Sequence, residues 1–234
     1  MKFRSQPVIL LFCSLTIILN SCKEDEGSNS GISETDPLPS WNDSQSKTTI
    51  IGFVESICDS TGVEYVQPED RIATFDNDGT LWSEQPVYFQ FRFAMDRIKA
   101  MATENTEMMN DTLFAAVINN DMETVIASGM HGLLKLVMAS HAGMTTTEFD
   151  GIVRQWTDTA RHERYGRLYT EMVYQPMIEL IAYLKEKDFS VYIVSGGGLE
   201  FMRPWTNNVY GIPEQNVIGS SIEVRLSLIH ISEP

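Results

Sequence analysis

Two acids stand one residue apart in RIATFDNDGTLWSE, residues 71–84. Asp76 and Asp78 follow a short apolar run that ends at Phe75, and Gly79 and Thr80 come directly after them. Asp, Asn and Gly are also the residues that tight turns favour, so this stretch reads either as a turn or as a site. As a site it has the parts for phosphoryl transfer. One carboxylate can attack phosphorus and form an acyl phosphate. A second can protonate the leaving oxygen and later deprotonate water. YIVSGGG, residues 192–198, supplies the complement: an apolar run ending in Ser195 and Gly196. A hydroxyl and the backbone N–H groups of a glycine turn can hold phosphate oxygens. A Mg²⁺ ion would offset the repulsion between an anionic nucleophile and an anionic substrate.

Such residues act together only if the chain brings both stretches to one place. Residues 48–61 have an amphipathic helical pattern, and Arg71 to Phe75 read as a short strand. Between residues 88 and 157 apolar groups recur at helical spacing, as in FRFAMDRIKAMA and HGLLKLVMAS. YQPMIELIAYLKEKDF predicts an amphipathic helix with lysines in its last turn. SVYIVSGGG predicts a buried strand closed by a glycine turn, LEFMRPWTNNVYGI a helix, and QNVIGSSI the start of a further strand. This order is that of a parallel α/β fold. In open parallel sheets, sites form at the carboxyl ends of strands, where both stretches stand. Neighbouring strands would then bring Asp76, Asp78 and Ser195 together.

With these residues in hand, the chain resembles the haloacid dehalogenase-like (HAD) superfamily, and within it the phosphoserine-phosphatase-like branch. FDNDGTLW matches the first motif of that family and YIVSGGG its second, and the resemblance runs from about Arg71 to about Ser221. It implies a Rossmann-like core with a parallel sheet and an inserted helical cap. The implied core is residues 47–87 and 171–224, with the cap at 88–170. The resemblance also implies roles. Asp76 is the nucleophile and a Mg²⁺ ligand. Asp78 is the general acid/base, its backbone carbonyl a second ligand. Thr80 supports the turn, and Ser195 with Gly196 binds phosphate. A halide needs no protonation, so an acid two residues after the nucleophile implies a phosphatase rather than a dehalogenase. A phosphotransferase would share the same phosphoenzyme. Trp82, Glu84, Gln85, His162 and Arg203 are candidate substrate selectors. Each also has a structural reading: Trp82 as packing, His162 as a surface histidine, Arg203 as a helix cap or ion-pair partner.

Two parts of the family pattern are missing. The resemblance calls for a lysine or arginine after the second motif and an acidic strand end later still. After Lys187 there is no lysine, after Asp188 no aspartate, and the last glutamates (Glu200, Glu214, Glu223, Glu233) form no pair. RLSLIHISEP departs from family-like sequence near Val224 and resembles a translated adapter. Residues 225–234 are therefore expected to be non-native, the last core strands to be missing, and this exact polypeptide to be weakly active or inactive. The contrasting expectation is a surface lipoprotein that binds a partner on a degenerate scaffold of this kind, without catalysis.

The rest of the chain bounds the setting. Its 234 residues are 43% hydrophobic and 10% aromatic, enough for one sizeable core. A net charge of −15 argues against a nucleic-acid partner, because phosphate backbones need a basic footprint. Lys2 and Arg4 precede the apolar run VILLFCSLTIIL, which has signal-peptide length. It ends in LNSC, which resembles a lipobox, so residues 1–22 are expected to be a lipoprotein signal and Cys22 the lipidated residue. Residues 23–46, polar and acidic, are expected to form a flexible tether. The protein is thus expected outside the cytoplasm, held at a membrane by its lipid and acting on a small phosphorylated substrate. With Cys13 and Cys22 so accounted for, Cys58 is a lone thiol on a helix face, expected to be structural.

Overall fold

The computed structural model describes residues 36–223. The expected signal segment, Cys22 and most of the tether lie outside the described residues, as does the 225–234 tail. Residues 36–223 belong to one compact unit. The described residues form eight α-helices and a three-stranded parallel sheet, in the strand order β1-β2-β3.

The tether ends sooner than its composition predicts. Leu38 is fully buried, the Trp41 indole N–H donates to the Pro176 carbonyl (2.8 Å), and the Ser40 N–H donates to Glu179 (2.8 Å). Two apolar anchors in a polar stretch thus dock residues 36–44 onto the core. Helix α1 (Gln45–Cys58) follows, capped by the Ser44 side chain. Cys58 is half-buried and has no disulfide partner among the described residues.

Strand β1 (Ile72–Phe75) pairs with β2 (Ser190–Gly198) with Phe75 opposite Ile193, and β2 pairs with β3 (Val217–Ser220) with Ile193 opposite Val217. Helix α7 (Gln175–Glu186) leads into β2, and α8 (Leu199–Tyr210) joins β2 to β3. Both crossovers step in the same direction, so right-handed connections put both helices on one face of the sheet. Val191, Ile193 and Val217 point into that face. There they pack with Leu180, Ile181, Phe201, Met202 and Trp205. The opposite face carries Ile72, Val194 and Ile218, 59%, 45% and 53% exposed. The prediction of a buried β2 therefore holds for one face only. Side chains alternate along a strand, and a one-sided layer covers every second residue. Strand β2 also continues through its glycines, with a register shift between Val194 and Gly198, where the sequence predicts a turn.

Five helices stand between β1 and α7: α2 (Phe89–Glu104), α3 (Thr112–Ile118), α4 (Met122–Ala127), α5 (Gly129–His141) and α6 (Thr146–Thr159). Each start has a physical cause where a cap exists. The side chains of Asp111, Asp121 and Thr145 accept first-turn N–H groups of α3, α4 and α6, and Glu148 completes a capping box. Helix α2 buries two stripes. Phe89 and Phe93 enter the main core, whereas Met95 and Ile98 join Val117, Val125 and Leu136 in a second cluster. Among the described residues no helix is long and apolar enough to cross a membrane.

Candidate active site

The chain turns sharply after Phe75. The Asn77 carbonyl accepts the N–H groups of Thr80, Leu81 and Trp82 (3.2, 2.8 and 3.3 Å), and the Gly79 N–H donates to the Trp82 carbonyl (3.0 Å). Asn77 itself is 1% exposed, and its Oδ1 accepts from the Tyr210 hydroxyl (3.2 Å). The turn reading of DNDG is therefore present, and it is the turn that sets the direction of both acids. The Asp76 carboxylate is exposed at the strand end, where its Oδ1 accepts the Asn77 N–H (2.7 Å).

Gly79 sits at φ +73°, and a methyl there would stand 2.9 Å from the Glu84 carboxyl carbon. Gly79→Ala is expected to cost about 1–2 kcal/mol from backbone strain alone. It would also push Glu84 away. A urea titration with an unchanged midpoint would contradict this.

Asp78 is half-buried, and Trp82, fully buried, decides its orientation. The Trp82 indole N–H donates to Asp78 Oδ1 (2.7 Å). Its ring stacks on Trp205 with centroids 4.4 Å apart and meets Phe89 edge-on at 4.7 Å. Trp82 is therefore both packing and a positioning group for Asp78. Burial pushes the Asp78 carboxyl above the usual carboxylate range, against the Trp82 hydrogen bond, and the charges of Asp76 and Glu84 add to the rise. An indole can only donate, so a proton carried by Asp78 belongs on the other oxygen, Oδ2.

Oδ2 faces the glycine stretch. A methyl built on Gly197 would stand 3.7 Å from Asp78 Oδ2, 3.5 Å from Ser195 Oγ and 3.4 Å from Gln90 Oε1. The ends of β1 and β2 and the first turn of α2 thus converge on one point. Ser195 Oγ accepts the Gly197 N–H (3.2 Å), and Gln90 Oε1 accepts the Gly198 N–H (2.8 Å). The Gly196 carbonyl is held by the Ser220 hydroxyl (2.9 Å). Asp76, Asp78, Ser195 and Gly196 therefore occupy adjacent strand ends.

The other candidates divide. Glu84 lies against Gly79, inside the site. His162 is not on the surface. It is 4% exposed, with its ring beside Phe89, Tyr165 and Tyr169. Its Nδ1 accepts the Arg164 N–H (3.2 Å), so Nε2 carries the proton and donates to the Gln85 carbonyl (3.2 Å). The polar neighbours in RHERYGR concealed this role of pinning the loop after Glu84. Arg203 donates to the Val217 carbonyl (3.3 Å) and ties α8 to β3, not to the acids. Gln90 escaped the sequence reading, since nothing in an amphipathic repeat distinguishes one polar residue from another.

The oxygen donors at the end of β1 suit Mg²⁺ in kind, an ion that takes one or two carboxylates and keeps several waters. Among the described residues no three acidic, histidine or cysteine side chains gather into a metal cluster.

The family model for haloacid dehalogenase-like hydrolases matches residues 73–231, which include both strand ends. The chain belongs to this family. A solved structure of a phosphoserine phosphohydrolase-like protein from Francisella tularensis subsp. tularensis SCHU S4 is also similar. The match has 18% identity and a TM-score of 0.34, and covers 64% of this chain and 57% of that one. The hydrolase chain thus spans less than two thirds of that relative's length. Comparison with curated proteins gives no match.

Proposed function

We propose that this HAD hydrolase is a phosphomonoesterase that works through an aspartyl phosphate. The observation that carries the reading is that Asp78 Oδ2 and Ser195 Oγ both border the open space beside Gly197, with Asp78 two residues beyond an exposed Asp76. The Ser195 hydroxyl, which can still donate its proton while accepting from Gly197, holds the phosphate of the substrate together with the Gly196 backbone. An Asp76 oxygen attacks phosphorus, and the bond to the ester oxygen breaks. Asp78 gives that oxygen its Oδ2 proton, releasing a neutral alcohol. Water then attacks the acyl phosphate while Asp78 takes its proton back, and inorganic phosphate leaves. Trp82 keeps Asp78 Oδ1 occupied, so the exchangeable proton stays on the side of the substrate.

The Asp76 carboxylate and the Asp78 carbonyl would hold Mg²⁺, which when bound offsets the charge between nucleophile and phosphate. We place this chemistry outside the cytoplasm, with the protein tethered through Cys22. Release of inorganic phosphate from an aryl phosphate tests the reading. It should require Mg²⁺, stop with EDTA and return when Mg²⁺ is restored. Release that EDTA leaves unchanged would remove the metal from the account, and no release from any phosphomonoester would remove the reading.

A further inference from the structure

Glu84 belongs to two places at once. Its carboxylate covers Gly79 in the turn that carries the acids, and it also forms one wall of a groove of about 340 Å³. The rest of that wall is largely apolar: Val87, Tyr88 and Phe91 from the loop and start of α2, Val125 and Ile126 from α4, Leu133 from α5. The volume falls in the range of small-molecule sites, about 300–1,000 Å³. Tyr88 and Ile126 are 53% and 70% exposed, so the groove keeps apolar surface in contact with solvent.

We infer that this groove receives the alcohol half of the substrate and selects phosphate monoesters of apolar, aromatic or branched alcohols that carry no second anion. The inference rests on the phosphatase reading above. Continuity through Glu84 is the reason for choosing the leaving group as occupant. A phosphate at the Asp76–Ser195 strand ends has its ester oxygen near Asp78, and the next wall beyond Gly79 is Glu84. An apolar body gains by leaving water for Phe91, Val125 and Leu133. A second phosphate or carboxylate would meet Glu84, the one carboxylate in the lining, close to two further acids.

The test compares 2-phenylethyl phosphate with ethyl phosphate, whose alkoxide leaving groups have similar basicity, and in parallel titrates 2-naphthol fluorescence against the full chain. The phenylethyl ester should be favoured about tenfold or more in kcat/KM, the scale on which apolar pockets discriminate. Ile126→Asp, at an exposed lip, should reduce both that preference and 2-naphthol affinity about tenfold. Met138→Asp, 50% exposed on α5 and absent from the lining, should change neither. Equal use of the two esters, or 2-naphthol binding indifferent to Ile126→Asp, would overturn the groove and leave the phosphatase reading standing. Binding of 2-naphthol that Ile126→Asp weakens, with neither ester hydrolysed, would overturn the phosphatase reading while upholding the groove as an apolar ligand site.

Discussion

Asp76→Asn is expected to lower phosphate release by at least ~10⁴-fold, the scale of losing a nucleophile whose partners act with it as a unit. The amide is a poor nucleophile toward phosphorus but nearly the same shape. Its oxygen can still accept the Asn77 N–H that Asp76 Oδ1 accepts at 2.7 Å, so the turn should survive. Asp76 is also exposed, so the change buries no unpaired group. Activity should therefore vanish with the thermal midpoint nearly unchanged. A variant that keeps more than about a tenth of the wild-type rate would assign the attack to another group or to water.

The second large effect separates the two acids. Asp78→Asn removes a proton donor while keeping an oxygen for the Trp82 indole, now bonded at 2.7 Å. General acid catalysis contributes about 10²–10⁴-fold where the leaving group needs a proton. An alkyl phosphate, which departs as a strongly basic alkoxide, should lose that much. A nitrophenyl phosphate leaves as a weakly basic phenolate, so its first step should slow far less. The diagnostic is the ratio of the two losses, read from single-turnover rates so that the later hydrolysis step does not mask it. Equal losses on both substrates would mean that Asp78 acts by position or charge and not by giving up a proton.

Much of the site was legible because its elements are local. An apolar run before D-x-D-G, and another before S-G-G-G, mark two strand ends, and parallel topology places strand ends side by side. The structure finds β1 and β2 paired and those ends adjacent. The rest depended on contacts between residues far apart in the chain. Gln90 reaches Gly198, 108 residues away, and His162 reaches Gln85, 77 residues away. Neither leaves a trace in a local pattern. Trp82 was visible as a large apolar residue, but only its indole N–H, four residues after Asp78, makes it part of the site. The solvent-facing side of β2 followed from topology. Two crossovers on one face leave the other uncovered among the described residues, whereas SVYIV alone reads as buried on both.

On the proposed mechanism Asp76 carries the phosphoryl group. The most direct measurement is rapid acid quench of the full chain with ³²P-labelled phosphomonoester and Mg²⁺, followed by digestion and mapping of bound label. A hydroxylamine-labile phosphate on Asp76 should appear before free phosphate and be absent in Asp76→Asn. Phosphate release without any protein-bound label, or label on a residue other than Asp76, would contradict it.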